Sequence, residues 1–157
     1  NPELDPIVVD KLVQSRGIKV VCGGTTSQIV SSHTGEQLTV TLNYENPGIP
    51  PAADIKGIDL VTEGVLTIGK TLDMLKRFPY MDRSEKVIAL SKKDAASRLV
   101  RILLEESTEV RFLVGRAINP AHQNPEMPIS LGLKLNLIKE MKAELEKIGK
   151  IVNIEYF

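Results

Sequence analysis

Short apolar runs alternate with longer segments of helical periodicity along this chain, and this alternation constrains the fold more than any other feature. β-branched and aliphatic residues fill the short runs, which predicts buried strands separated by helices. Units of strand, helix and strand place parallel strands side by side, with the helices packed on the sheet faces. The sequence therefore predicts a single α/β domain over residues 1–157, an open, mostly parallel, Rossmann-like three-layer sheet of about five strands with helices on both faces.

The periodicity also gives approximate bounds for each element. The predicted strands cover residues 18–22, 36–44, 58–64, 109–115 and 151–157, and the predicted helices cover residues 5–17, 25–33, 65–78, 94–106 and 129–150. Residues 45–57 are rich in proline and glycine and are predicted to be a connection, as are residues 80–94. Ser91 and Asp94 are a predicted capping pair, and Ser130 is a predicted N-cap for the last helix.

The composition excludes several classes of protein. Twenty basic residues balance twenty acidic ones, so no net field would attract nucleic acid or an acidic membrane surface. No apolar run is long enough to span a bilayer. The single cysteine cannot form an internal disulfide, which favours a reducing cytoplasm, and two separated histidines argue against a zinc site. Because the chain begins with Asn1, we expect it to be a fragment of a longer protein.

Four predicted strands end in glycine-containing or polar segments, and in a parallel sheet these ends share one edge. Gly23-Gly24 lets the backbone approach a ligand closely, and the N–H groups of the helix start that follows attract an anion. Arg116 has the forked geometry that pairs with a phosphate or a carboxylate. The sequence therefore predicts a site for a small anionic ligand. The predicted ligand-binding residues are Cys22, Gly23, Gly24, Thr25, Thr26, Thr62, Glu63, Gly64, Arg116 and Asn119.

Each of these features also has a plain structural interpretation, and the sequence leaves both open. Gly-Gly between a strand and a helix can be only a tight turn, because neither the GxGxxG nor the P-loop pattern is present. Thr25 or Thr26 can be an N-cap, and Glu63 can stabilise the next helix instead of binding a ligand hydroxyl. Cys22 can be a small buried residue or, if the helix start lowers its pKa, a nucleophile.

Long blocks of this sequence resemble a known bacterial family. KVVCGGTTSQIVSS, residues 19–32, is followed by IPPAADIKGIDLVTEGVLTIGKTLDML, residues 49–75, and the chain closes with ISLGLKLNLIKEMKAELEKIGK before its last strand. These blocks resemble the C-terminal part of stage II sporulation protein E family phosphatases, which belong to the type-2C metal-dependent serine/threonine phosphatases. The resemblance covers nearly the whole chain.

This resemblance implies an accessory or regulatory domain that follows a phosphatase half. In such proteins that half holds aspartates that bind two manganese or magnesium ions and activate a water molecule. Where a metal-binding Asp-Gly pair would follow a strand, this chain has Gly23-Gly24, so the resemblance places the ions and the catalytic centre upstream. The implied partners are the upstream phosphatase domain and a small anionic ligand.

Three functions stay open at this point. The favoured one is a ligand-sensing regulatory domain of a phosphatase-like signalling protein, with the proline-rich segment 115–128 as either a lid or a disordered loop. The second is a small enzyme that uses Cys22 as nucleophile or Glu63 as base, although no histidine is close to Cys22 in the sequence. The third is an interaction or homodimerisation module built on the helix 131–148 and the strand 151–157. His33 and His122 are predicted surface residues.

Overall fold

The computed structural model of the chain describes residues 1–40, 46–116 and 127–157, which contain six α-helices and six strands. The helices are α1 (Asp5–Gln14), α2 (Gly24–Thr34), α3 (Val65–Arg77), α4 (Arg83–Ser91), α5 (Ala95–Glu105) and α6 (Met127–Lys147). The strands are β1 (Val20–Cys22), β2 (Thr39–Val40), β3 (Ala53–Asp54), β4 (Leu60–Thr62), β5 (Glu109–Val114) and β6 (Ile151–Tyr156). A 3-10 helix, Phe78–Tyr80, follows α3, where Pro79 prevents the α-helix from continuing.

The protein is a mixed α/β structure, but the prediction of a single open sheet of about five mostly parallel strands is wrong. In the described residues the strands form two sheets, a four-stranded one in the order β1-β4-β3-β2 and a two-stranded one, β5-β6. Only β1 with β4, and β5 with β6, are parallel pairs, whereas β3 runs antiparallel to both of its neighbours.

Chain length between strands explains why the first sheet is mixed. β3 lies inside the proline- and glycine-rich connection that the sequence assigned to no strand, and it ends at Asp54, shortly before β4 begins at Leu60. A parallel pair needs a crossover of a dozen residues or more, so this short link permits only antiparallel pairing. Gly57, with a φ of +90°, lies in that turn. By contrast, α6 connects β5 to β6, and this crossover gives the parallel register from Glu109–Ile151 to Val114–Tyr156.

Three predictions about helices also need correction. Residues 83–91 form α4, because Asp82 is an N-cap whose Oδ1 accepts a hydrogen bond from Glu85 N at 2.8 Å. Asp94 caps α5 by accepting from Ser97 N at 2.9 Å, while Ser91 belongs to α4, so the predicted Ser91–Asp94 pair is wrong. Ser130 lies inside α6, which begins at Met127, so it is not an N-cap.

Three apolar clusters hold these elements together, the smallest of them formed by Ile49, Ala95 and Ala96. The larger of the other two joins α3, α5 and α6 to strands of both sheets, and its buried members are Leu60, Ile68, Leu72, Leu75, Leu99, Val100, Leu103, Val114, Ile138, Met141, Leu145 and Val152. The smaller of these two joins α1 and α2 to the other face of β1 and β4, and its buried members are Val9, Val21, Val30, Ile55 and Val61. Because successive side chains of a strand point to opposite faces, α3 lies on one face of the β1–β4 pair and α2 on the other.

Candidate functional site

The ends of β1 and β4 lie side by side and define the first candidate site. Cys22 and Thr62 are partners in the parallel register, and the N–H of Gly23 donates to the carbonyl oxygen of Thr62 at 2.9 Å. Each strand leads at once into a helix, α2 from Gly24 and α3 from Val65. Two helix N-termini therefore start from adjacent parallel strands and continue on opposite faces, which is the arrangement that creates a ligand crevice in α/β sheets.

Glycine is favoured by the backbone at the end of β1, beside Gly64 at the end of β4. Gly23 has a φ of +114°, a conformation that residues with a side chain rarely adopt. A Cβ atom at Gly64 would lie 3.5 Å from Gly23 Cα, which is an ordinary van der Waals distance, so the two glycines are neighbours and a Cβ at Gly64 would fit. Gly24 differs, since a Cβ there would meet nothing within 4 Å. The space beside Gly24, at the start of α2, is therefore open.

The two helix N-termini differ in charge. Neither Gly23 nor Gly64 can supply a side-chain cap, and the first turns of α2 and α3 contain no acidic residue. Glu63, just before α3, accepts a hydrogen bond from Thr67 N at 3.3 Å through Oε2, so it stabilises that helix start. Thr25 and Thr26, in the first turn of α2, are exposed, and that turn contains no acidic residue. An anion is therefore better accommodated at α2 than at α3.

Cys22 lies half-buried at the end of β1 and packs against the larger apolar cluster. Burial raises the pKa of its thiol, and the nearby charge of Glu63 raises the pKa further, although a hydrogen bond with the Thr62 side chain lowers it. The thiol is therefore kept protonated, which is the opposite of what a nucleophilic cysteine needs. His33 is not a partner for it, because its Nε2 lies 2.9 Å from Asp10 Oδ1.

Arg116 belongs to a second location, at the end of the β5–β6 pair. Its N–H donates to the carbonyl oxygen of Phe157 at 2.8 Å, and its guanidinium lies 5.7 Å from the centre of the Tyr156 ring. Lys134, on α6, donates from Nζ to the carbonyl oxygen of Gly115 at 2.7 Å, and burial lowers the pKa of this lysine. The sequence did not predict Lys134 or Tyr156, because nothing in the pattern links α6 to the end of β5.

The predicted site residues therefore separate into two groups. The β1–β4 end brings together Cys22, Gly23, Gly24, Thr25, Thr26, Thr62, Glu63 and Gly64. Arg116 lies at the β5–β6 end, and its described contacts are with Tyr156 and Phe157. Asn119 and His122 lie outside the described residues, as does most of the predicted lid.

The carboxylates do not gather into a metal site. No group of three or more histidine, cysteine, aspartate or glutamate side chains is placed to hold an ion in the part of the chain that the structure describes. Several of these carboxylates instead bind the main chain: Asp59 accepts from Lys19 N at 2.8 Å, just as Glu63 and Asp82 accept from the starts of their helices.

No family model, curated protein or solved structure matches this chain. None of the helices in the described ranges has both the length and the apolar character needed to cross a bilayer.

Proposed function

We propose that this chain is an accessory, regulatory domain that binds a small anionic or phosphorylated ligand, in a protein whose upstream half is a type-2C-like serine/threonine phosphatase. The phosphatase assignment rests on the sequence blocks around residues 19–32 and 49–75, and manganese or magnesium ions would belong to the upstream half. Cys22 has no catalytic part in this proposal, because its pKa is raised.

One observation supports the ligand-binding part above all others. The starts of α2 and α3 adjoin at the ends of two parallel strands, where the N-cap residues Gly23 and Gly64 have no side chain and the Glu63 carboxylate bonds only to the start of α3 among the described contacts. Main-chain N–H groups at such helix starts carry partial positive charge and form hydrogen bonds to anions. A ligand seated over Gly24 would meet the start of α2, and its hydroxyl groups would lie toward Glu63.

A valine at Gly24 tests this proposal with little disturbance of the fold. A Cβ at Gly24 meets no atom within 4 Å, so the substitution places a branched side chain at the helix start with open space around its first atom. We expect Gly24→Val to abolish the chemical-shift changes of residues 23–27 that phosphate or a phosphate ester produces in NMR titrations. Gly69→Val is the matched control, because a Cβ at Gly69 also meets nothing within 4 Å and lies inside α3.

Two results would contradict the proposal. If neither phosphate nor phosphate esters shift the amide signals of residues 23–27, the β1–β4 end is only a tight turn. If the chain by itself hydrolyses p-nitrophenyl phosphate in the presence of Mn²⁺, the catalytic centre is not confined to an upstream half.

A second candidate function, protein interaction or homodimerisation, is favoured by α4 rather than by α6. The face of α6 that holds Ile138, Met141 and Leu145 is buried in the core and cannot receive a partner. On and beside α4, in contrast, Tyr80, Val87 and Ile88 are 91%, 64% and 59% exposed. Val87 also lines a surface groove of about 440 Å³ together with Phe78 and Leu90. Light scattering that shows a monomer at every concentration would exclude the hypothesis of homodimerisation.

A further inference from the structure

We infer that the end of the β5–β6 pair is a second oxyanion site, in which Arg116 and Lys134 bind a phosphate monoester dianion. This inference does not depend on the proposed function, because it rests on cationic side chains at a different pair of strands. It assigns Arg116, which the sequence grouped with the glycines of the first site, to a separate one.

Arg116 is held in position before any ligand arrives. Its N–H donates to Phe157 at 2.8 Å and Phe157 N donates to Val114 at 2.9 Å, so these bonds extend the β5–β6 ladder beyond its last strand pair. The guanidinium lies 5.7 Å from the centre of the Tyr156 ring, within reach of a cation–π contact. A cation–π contact uses none of the N–H donors of the group, whose forked arrangement matches a phosphate.

Lys134 needs a negative partner that the described part of the chain does not supply. It is half-buried, and within the described residues its ammonium donates one hydrogen bond, to Gly115 O at 2.7 Å, out of the three that it can make. A cation partly removed from water is costly unless it is paired. Neither Lys134 nor Arg116 forms a salt bridge with any carboxylate of residues 1–40, 46–116 and 127–157.

The backbone brings the two cations to the same place. Lys134 binds the carbonyl group of Gly115, and that carbonyl belongs to the peptide bond that leads into Arg116. The one acidic residue of β6, Glu155, is already bonded to Lys11 and alternates to the opposite face from Tyr156. Lys134 and Arg116 therefore adjoin the same peptide unit, and neither has a carboxylate partner within the described residues. A dianionic phosphate monoester would neutralise both charges, whereas a singly charged carboxylate would neutralise one.

Binding measurements on four variants test this inference. Inorganic phosphate and O-phosphoserine would be titrated at constant ionic strength, with acetate as the singly charged comparison. We expect Arg116→Met and Lys134→Met each to weaken binding at this end by roughly tenfold or more, since each removes a charge-assisted hydrogen bond. Arg111→Met on β5 and Lys139→Met on α6 are matched controls, because both residues are exposed and neither forms a salt bridge within the described ranges.

Several outcomes separate this site from the first one. Gly24→Val should leave the amide shifts of residues 115, 116 and 156 unchanged, so failure of the proposed function does not affect this result. Arg116→Lys should bind with intermediate strength, since it keeps the charge and loses the fork. The inference is wrong if the control variants weaken binding equally, if acetate binds as tightly as phosphate, or if neither phosphate compound shifts these residues in a chain that keeps its thermal unfolding transition.

Discussion

The two pairs of parallel strands end in different chemistry. At the β1–β4 end, two helices begin at glycine N-caps that have no side chain, and the only charged side chain among the predicted residues is Glu63, which bonds to the start of α3. At the β5–β6 end, the described features are two cations and an aromatic ring, Arg116, Lys134 and Tyr156. The first end offers main-chain amides to a ligand, and the second offers side-chain charge.

This difference has a consequence for specificity. Main-chain amides at a helix start bind an anion that matches the fixed directions of their N–H groups. Their contribution does not depend on pH, because these groups do not titrate. Cationic side chains bind more strongly to a ligand of higher negative charge. Salt weakens this binding more when the side chains are exposed. The β1–β4 end is therefore expected to select ligand shape, and the β5–β6 end to select ligand charge.

The largest expected effect is that of Gly23→Val. Its φ of +114° is a strained conformation for a β-branched residue, so we expect a loss of about 1–3 kcal/mol in the free energy of unfolding. Denaturant-induced unfolding measures this loss, and Gly69→Val, inside α3, should not show it. Below its unfolding transition, the variant should still bind phosphate at Arg116 and Lys134. Equal loss of binding at both ends would show that they form one coupled site.

Alkylation of Cys22 tests the chemical character of the β1–β4 end. Burial raises the pKa of the thiol, so the reactive thiolate is scarce and iodoacetamide should react more slowly with the folded chain than with the unfolded chain at pH 8. As the pH rises, the thiol loses its proton in the unfolded chain first, at about pH 8.5. Above about that pH the free energy of unfolding therefore falls, because the folded chain still holds the proton. Mass spectrometry after timed quenching gives both rates. Faster reaction of the folded protein would restore the hypothesis of a nucleophilic cysteine.

Most elements of both ends were predictable, but their contacts were not. The apolar runs of β1, β4, β5 and β6 and the helical spacing that follows β1 and β4 depend on local sequence, and each was predicted near its observed position. β3 was missed because two residues are too few to show alternation, and strand pairing alone creates it. α4 was missed because Ala89 is its only buried residue, so it has no apolar stripe facing the core.

The contacts that define the two ends depend on register and crossover, which no local pattern contains. Gly23 meets Gly64 only because Val20–Cys22 pairs in parallel with Leu60–Thr62. Lys134 reaches Gly115 only because α6 returns along the β5–β6 pair, and in the sequence this lysine stands between two leucines with nothing to mark it. Assigning Arg116 to the glycine site assumed one continuous parallel sheet, whereas β5 and β6 form a sheet of their own.

The smallest expected effect is that of Glu63→Gln, which should change phosphate affinity at the β1–β4 end and leave it unchanged at the β5–β6 end. The carboxylate of Glu63 accepts a hydrogen bond from Thr67 N at 3.3 Å, and its charge opposes any anion that approaches the same crevice. Glutamine keeps an acceptor oxygen for Thr67 and removes the charge, so we expect phosphate affinity at residues 23–27 to rise roughly two- to fivefold. Affinity at Arg116 and Lys134 should not change, and Glu105→Gln, on α5, is the matched control. If Glu63→Gln weakens phosphate ester binding while inorganic phosphate binds as before, Glu63 accepts a ligand hydroxyl, and the β1–β4 end then selects the alcohol part of the ester.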